Sequence, residues 1–231
     1  MLKNILSIFL KENCPLCQRS TDEEICYDCQ RQLKSCQLKH PKKLWQGELP
    51  LFAWGKYEGK LKQAIAALKY ENNPQIGEFL GFWLGETWLK YTLIKTQKTP
   101  TIIPIPLHLT KEKERGFNQS DLIAKGFCQI TKYPLKTKGL IRIRQTEAMF
   151  GLTPEQRKAN IQQAFSLGKS LQNHPLSTPI LLIDDIYTTG TTAKEAAKVL
   201  SIQGFKVLGI IAVSTTQNQS LNRELVLKTL L

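Results

Sequence analysis

The residues with the clearest chemical potential form one continuous stretch, residues 180–192, which reads ILLIDDIYTTGTT. Its four leading apolar residues predict a strand that is buried on both faces of a parallel sheet. Asp184 and Asp185 are expected to close that strand. From Thr191 onward, apolar residues recur every three or four positions and predict a helix. The order of elements is therefore strand, polar loop, helix.

The polar loop between that strand and helix is a candidate phosphate-binding loop. A junction of this kind leaves backbone N–H groups free at the positive end of a helix, where a phosphate is favoured. Gly190 permits a close backbone approach or a positive φ. The neighbouring hydroxyls can donate further hydrogen bonds to phosphate oxygens; they belong to Thr188, Thr189, Thr191 and Thr192.

The two acids need a different partner, because a carboxylate beside a bound phosphate repels it unless it meets hydroxyl groups or a cation. A ribose 5-phosphate satisfies both requirements. Its phosphate lies on the threonine loop, and its sugar diol meets Asp184 and Asp185. The alternative is an ordinary buried strand followed by an N-capped helix, but this spacing of acids, threonines and glycine is far more specific than a lone glycine pattern.

Four cysteines near the start of the chain predict a metal site. They form two pairs of spacing C-x₂-C, namely Cys14 with Cys17 and Cys26 with Cys29. Two such pairs brought face to face provide the tetrahedral thiolate set of a structural zinc site, with no open position for catalysis. Two disulfides are the alternative, which the lack of a secretory signal disfavours. Cys36 and His40 are a second alternative, in place of one pair.

The 231 residues allow one domain of moderate size and a small module. We expect a helix at residues 1–10 and the zinc module within residues 1–44, followed by a larger domain at residues 45–231. No stretch approaches the roughly 18 uninterrupted apolar residues of a membrane span. The residues therefore predict a cytoplasmic protein without a transmembrane segment.

The chain is strongly basic, with a formal net charge of +13 and a pI near 9.5. The positive charge is spread along the sequence and does not form one tail. Such a balance favours a polyanionic partner or anionic substrates. A solvated basic surface without a partner is the alternative.

A second candidate ligand loop follows the apolar run at residues 101–107. Residues 111–119 are charged and contain Arg115 and Gly116, and they lead into an apolar helical pattern. Ligands bind at the carboxyl ends of strands in open α/β sheets, so Arg115 is a candidate site residue. A solvated surface loop is the alternative. Separately, Gly77, Gly81 and Gly85 recur every fourth residue and predict close packing of one helix on another.

Together these motifs resemble the ComF family of the phosphoribosyltransferase fold. The shared features are the acid pair with its threonine loop, the two C-x₂-C pairs, Tyr-Glu-Gly at residues 57–59, Pro-x-Pro at 104–106 and Arg-Gly-Phe-Asn-Gln at 115–119. The resemblance covers residues 14–213. Lys113 departs from it, because a second arginine is expected there and lysine lacks bidentate phosphate recognition.

The resemblance implies a type I phosphoribosyltransferase fold, an open and mainly parallel sheet with helices on both faces. The ligand it implies is phosphoribosyl diphosphate (PRPP) with Mg²⁺. Residues 139–165 are similar to the mobile loop that glutamine amidophosphoribosyltransferases close over PRPP. Arg142 and Arg144 of this loop, with Arg157 and Lys158, would meet the charge on the leaving pyrophosphate. Alternatively, Arg142 and Arg144 are strand residues that face solvent.

The family resemblance also implies a role in DNA uptake and natural transformation, with single-stranded DNA and a ComF-type helicase as partners. An active phosphoribosyltransferase of nucleotide metabolism or salvage, without a DNA role, is the alternative function. A regulator whose zinc module binds duplex operators is a weaker third possibility, because no helix-turn-helix or zinc-finger helix is visible in the sequence.

Overall fold

The computed structural model describes residues 12–91, 98–144 and 162–217. In chain order its elements are β1 (Glu12–Asn13), β2 (Ser20–Thr21), α1 (Tyr27–Ser35), β3 (Leu51–Lys56), α2 (Gly59–Tyr70), α3 (Gln75–Tyr91), β4 (Thr101–Pro104), α4 (Leu109–Arg115), α5 (Gln119–Thr131), β5 (Leu140–Arg142), β6 (Phe165–Leu167), β7 (Ile180–Tyr187), α6 (Thr191–Ile202) and β8 (Val207–Thr215). Short 3₁₀ turns lie at Pro41–Leu44 and Lys169–Leu171.

A parallel sheet of order β3-β8-β7-β4 carries the candidate ligand loop. Its strand β7 pairs on both sides, with β8 and with β4. Successive side chains of a strand point to opposite faces, and Leu181 and Ile183 accordingly join one hydrophobic cluster while Ile180 and Leu182 join another. The prediction of a strand buried on both faces is confirmed.

Helices cover both faces of this sheet. Apolar residues of α2, α3 and α5 pack on one face, whereas α6 and the antiparallel β5–β6 hairpin pack on the other. Both faces are thus removed from water, as a parallel sheet requires. The α/β fold class predicted from the sequence is confirmed.

Two local predictions were wrong. Strand β7 does not end at the acid pair, because Ile186 and Tyr187 continue to pair with β8. Residues 109–115 form helix α4 and not a loop. His108 caps that helix, since its Nδ1 accepts a hydrogen bond from the Thr110 N–H at 3.3 Å. Gly116, with a φ of 84°, ends it.

The prediction of close helix packing at the repeated glycines of α3 is confirmed. A Cβ atom at Gly81 would overlap the carbonyl oxygen of Ile123 in α5. From the opposite side, a Cβ at Gly126 of α5 would overlap the carbonyl oxygen of Glu78. The two helix backbones therefore touch, and this contact fixes the position of α5 against α3.

The cysteine-containing segment packs directly on the larger part of the chain. Cys14, Cys29 and Leu33 belong to the same buried cluster as the inner faces of α2 and α3. The Leu38 N–H donates to the Trp54 carbonyl at 2.9 Å, which joins this segment to β3. The division of the chain near residue 44 stays a prediction.

Some predictions lie outside the described residues. They are the helix at residues 1–10 and the part of the basic loop that contains Arg157 and Lys158. Within the ranges that the structure covers, no helix is both long and apolar enough to cross a membrane.

Candidate functional site

The acid pair lies near the carboxyl end of β7, and side chains from two helices contact it. The Ser120 hydroxyl at the start of α5 donates to Asp184 Oδ1 at 2.9 Å, and the Asp185 backbone N–H donates to the same oxygen at 2.9 Å. The Asp185 carboxylate forms an ion pair with the Lys69 ammonium of α2. This ion pair is largely buried, with side-chain exposures of 17% for Lys69 and 6% for Asp185.

Sequence reasoning missed Lys69 and Ser120. Lys69 directly follows Leu68, a core residue of α2, so it borders the buried face of that helix. A lysine at the border of a buried helix face, in a chain with two acids after a buried strand, is the feature from which an ion pair could have been predicted. The pairing itself joins segments far apart in the chain, and no local spacing reveals it.

The two carboxyl groups differ in ionisation. Burial raises the pKa of Asp184 well above its ordinary value, and the negative charge of Asp185 raises it further. Burial also acts to raise the pKa of Asp185, but the positive charge of Lys69 outweighs this effect and lowers it. Asp185 is therefore the charged member, and Asp184 holds a proton more readily.

The threonine loop follows the acid pair directly. Gly190 has a φ of 75° and is the N-cap residue of α6, so its backbone takes the left-handed conformation that the sequence allowed for. A Cβ atom there would overlap the Tyr187 ring and hydroxyl. Thr188 and Thr189 are exposed, and the Oγ1 atoms of Thr189 and Thr191 lie 2.8 Å apart. The predicted phosphate loop thus lies at the positive end of a helix.

Of the predicted cations, Arg142 is the one that interacts electrostatically with Asp184 of the acid pair. Burial lowers its pKa, and the negative charge of Asp184 opposes that change. Its guanidinium lies 5.6 Å from the centre of the Phe165 ring. Arginine remains charged in proteins, so a half-buried positive charge lies within electrostatic range of Asp184.

The other two predicted arginines differ in placement. Arg115 stacks over the Tyr70 ring at 5.8 Å and lines a cavity of about 330 Å³ with Lys69 and Lys113. Arg144 is exposed, and its Nη1 donates to the Gln162 carbonyl at 2.9 Å. The structure therefore brings Arg115 beside Lys69, whereas Arg144 lies just after β5 and contacts Gln162, just before β6.

The four predicted zinc ligands lie together. The Sγ atoms of Cys14, Cys17, Cys26 and Cys29 all lie within 4.8 Å of one another. Tetrahedral thiolates at about 2.3 Å from a zinc ion are about 3.8 Å apart, and the Sγ atoms of Cys17 and Cys26 are 3.6 Å apart. These residues fit a structural zinc ion. Cys36 Sγ instead contacts the carbonyl oxygens of Gln32 and Glu58.

The charges on these thiols fit the same conclusion. Burial acts to raise the pKa of Cys14, but backbone N–H groups, first that of Cys26, lower it to about 7. Burial raises the pKa of Cys29 to about 12. One sulfur is thus ready to be a thiolate, while its neighbour needs a cation to lose its proton.

The acid pair alone does not make a metal site. Across the described residues, the four cysteines are the one cluster of three or more ligating side chains. One of the two carboxylates is already paired with Lys69. Because Mg²⁺ is usually held by one or two carboxylates together with substrate oxygens, the expected Mg²⁺ depends on a bound diphosphate.

Three curated relatives are named for competence or for DNA utilization. Competence protein F of Haemophilus influenzae is 28% identical over 165 residues, which cover 68% of each chain. DNA utilization protein YhgH of Escherichia coli K12 is 27% identical over 201 residues, 83% of this chain and 85% of that protein. Competence protein ComFC of Bacillus subtilis is 26% identical over 83% of this chain and 72% of its own length.

The chain is a homologue of these competence and DNA utilization proteins over most of its length. No protein-family model matches it. Among solved structures, the chain is similar to an adenine phosphoribosyltransferase, with 14% identity and a TM-score of 0.40 over 64% of this chain and 75% of that one. A hypoxanthine phosphoribosyltransferase from Staphylococcus aureus has 15% identity and a TM-score of 0.38 over 63% and 68%.

The unequal ionisation predicts opposite stability effects for the two acids. Asp184→Asn keeps the Oδ1 acceptor and removes a group whose pKa is raised on folding. Because the ionised form of Asp184 is disfavoured in the folded protein, we expect this variant to be more stable than the parent protein at pH 7. Asp185→Asn removes the charged partner of Lys69 and should lower the free energy of unfolding by about 2 kcal/mol. This loss is smaller than the usual cost of breaking a buried ion pair, because Lys69 is partly exposed.

The gain in Asp184→Asn should shrink as the pH falls toward about 4, the ordinary aspartate pKa, because a raised folded pKa costs stability only above that value. The loss in Asp185→Asn should persist down to about pH 4 and disappear only below it, as the pH falls through the lowered folded pKa of Asp185. Urea unfolding followed by tryptophan fluorescence from about pH 3 to pH 7 measures both effects. Equal losses of stability in Asp184→Asn and Asp185→Asn would contradict the assignment of the negative charge to Asp185.

The thiolate cluster predicts that purified protein contains about one zinc ion per chain. Cys26→Ser removes one ligand, so this variant should lose zinc to a chelator at a concentration that leaves the parent protein loaded. Elemental analysis after dialysis measures the zinc. Cys128→Ser, which changes a half-buried cysteine of α5 outside the cluster, is the matched control and should retain the metal.

Proposed function

We propose that the protein binds PRPP or a related ribose 5-phosphate at the carboxyl end of β7 and acts in DNA uptake. One observation carries the ligand assignment. The acid pair and a threonine loop with a left-handed Gly190 follow each other on one strand and open directly into α6. A sugar diol and a phosphate are joined at that spacing in a ribose 5-phosphate.

In this proposal the loop at residues 188–192 holds the 5-phosphate through backbone N–H groups and hydroxyls. Asp184 and Asp185 meet the ribose hydroxyls. Asp185 accepts hydrogen bonds because Lys69 keeps it charged, whereas a protonated Asp184 can also donate one. Lys69 and Ser120 are positioning residues, since each acts on the ligand through a carboxyl group that it holds.

The surrounding cations support phosphoribosyl transfer as the chemistry. When the bond between the anomeric carbon and the pyrophosphate oxygen breaks, its electron pair leaves with the pyrophosphate. Positive charge offsets that developing charge most effectively in a site from which water is excluded. Arg142, Arg115 and Lys113 provide it on this side of the protein, and a carboxylate of the acid pair would help to hold a Mg²⁺ that supplies further positive charge. An enzyme of nucleotide metabolism or salvage would use the same groups.

PRPP binding tests the assignment by titration calorimetry of zinc-loaded protein, with and without Mg²⁺. We expect binding that Mg²⁺ strengthens. Gly190→Ala should weaken it at least about tenfold, because the new methyl group displaces Tyr187 and the loop. Asp184→Asn together with Asp185→Asn should abolish it.

Thr178→Ala lies at the amino end of β7 and serves as the control, which should bind as the parent does. If the double aspartate variant kept its full affinity for PRPP, the assignment of the acid pair to the PRPP site would be wrong. If the parent protein did not bind PRPP, the proposed ligand would be wrong and the fold would serve another function.

The DNA part of the proposal is favoured by the names of the relatives and by one surface. Half-buried Phe79, Phe82 and Trp83 of α3 line an open groove with Lys132. The Lys34 ammonium lies 5.2 Å from the centre of the Trp83 ring. Aromatic faces beside lysines are the means by which proteins bind single strands without sequence preference. We therefore propose single-stranded DNA as the ligand of this groove.

Fluorescence anisotropy with an oligothymidylate at several salt concentrations tests the groove. Affinity should fall steeply with salt, because bound phosphates release counterions. Lys34→Glu and Lys132→Glu should each weaken binding and reduce the salt slope by about 1. Lys206→Glu makes the same change in charge just before β8, outside this groove, and should have little effect on the affinity. Equal weakening by all three would indicate only a general attraction to a basic protein.

A further inference from the structure

A cleft of about 640 Å³ lies between α4, the first turn of α5 and strand β5. Its apolar lining comes from Pro106, Leu107, Leu109, Leu140 and Ile141. Leu109 is 62% exposed and Ile141 is 38% exposed. A volume of this size with apolar walls is typical of sites for small molecules, and neither the threonine loop nor the zinc cluster uses it.

One carboxylate is fixed in the wall of this cleft. Asn118 Nδ2 donates at 3.1 Å to Asp121 Oδ1 and at 3.1 Å to the Ile105 carbonyl, so the Asp121 side chain is anchored to the end of β4. Burial raises the pKa of Asp121 to about 6, and the charge of Glu112 adds to that rise. A carboxylate that is partly desolvated in this way gains from a ligand with N–H donors.

The rim of the cleft has the opposite charge. Lys113, Lys138 and Lys169 line it and are exposed, and Arg142 lies on the inner side. Four cations around a single cleft favour a ligand that also has an anionic group. Glu112 and Asp121 leave a surplus of positive charge, so a purely cationic ligand is disfavoured.

The cleft also adjoins the acid pair. Asp121 directly follows Ser120, which donates to Asp184. Arg142 lines the cleft and interacts electrostatically with Asp184. Lys113 and Gly116 line both this cleft and the smaller cavity that contains Lys69. A molecule in the cleft is thus beside the place where a bound ribose would lie.

We propose that this cleft binds the acceptor of phosphoribosyl transfer, a small planar molecule with an apolar ring, an amino nitrogen and an anionic substituent. The nitrogen is hydrogen bonded to Asp121, the ring lies against the apolar wall, and the anionic group meets the lysines. This inference rests on the proposed function, because an acceptor requires a bound PRPP.

The transfer step balances with these groups. The nitrogen lone pair forms a bond to the anomeric carbon, the bond from that carbon to the pyrophosphate oxygen breaks, and the pyrophosphate leaves with the electron pair. The nitrogen then loses one proton, which the Asp121 carboxylate takes up.

Three matched probes test the cleft: anthranilate, benzoate, which lacks the amine, and aniline, which lacks the carboxylate. Fluorescence titration of anthranilate, and competition by the other two, give the affinities. We expect anthranilate to bind at least about tenfold more tightly than either, since each missing charge-assisted contact costs more than 1 kcal/mol.

Asp121→Asn should weaken the binding of anthranilate at least about tenfold and leave the affinity for benzoate unchanged. Glu86→Gln, on α3 in the aromatic groove and outside this cleft, is the control variant and should bind all three as the parent does. Equal binding of anthranilate and benzoate, no anthranilate binding, or an unchanged affinity in Asp121→Asn would each overturn the inference.

The two sites can fail separately. Asp121→Asn should still bind PRPP, which also shows that this variant is folded, and the double aspartate variant at 184 and 185 should still bind anthranilate. Anthranilate binding without PRPP binding would overturn the acceptor role together with the proposed function. PRPP binding without anthranilate binding would overturn only the cleft assignment.

Discussion

The ion pair between Lys69 and Asp185 is the interaction on which the ligand-binding end of the sheet depends. Two adjacent acids near the end of a strand buried on both faces carry a large desolvation cost. Lys69 offsets it for Asp185, and Ser120 together with a backbone N–H satisfies Asp184. Because Lys69 comes from α2 and Ser120 from α5, the two helices and the strand must keep their relative positions for the acids to remain paired.

Helix packing is what brings Ser120 to that place. The backbones of α3 and α5 touch at Gly81 and Gly126, where a larger residue would overlap a carbonyl oxygen. This contact fixes the position of α5 against α3, and Asn118 caps the start of α5. The first turn of α5 then presents Ser120 to the acid pair and Asp121 to the neighbouring cleft. Two glycines distant from the chemistry thereby position two of its polar groups.

The cysteine module belongs to the same arrangement. It shares its buried cluster with α2, and the Lys60 ammonium of α2 donates to the Leu16 carbonyl, between Cys14 and Cys17, at 3.1 Å. Helix α2 thus contacts the cysteine-containing segment near its start and the acid pair near its end. A structural metal that orders the module would also hold the helix that supplies Lys69.

The sequence by itself determined the elements whose pattern is local. The buried strand, the helix that follows Gly190 and the four thiols could all be predicted, because hydrophobic periodicity, turn chemistry and ligand spacing act within a few residues. It misplaced the end of β7, since β8 pairing carries that strand past the acids, and it missed α4. Only the tertiary structure decided that Lys69 neutralises Asp185, that Arg142 and not Arg144 lies near Asp184, and that an apolar cleft adjoins them. Those contacts join distant segments, and burial sets their charges, so no local pattern encodes them.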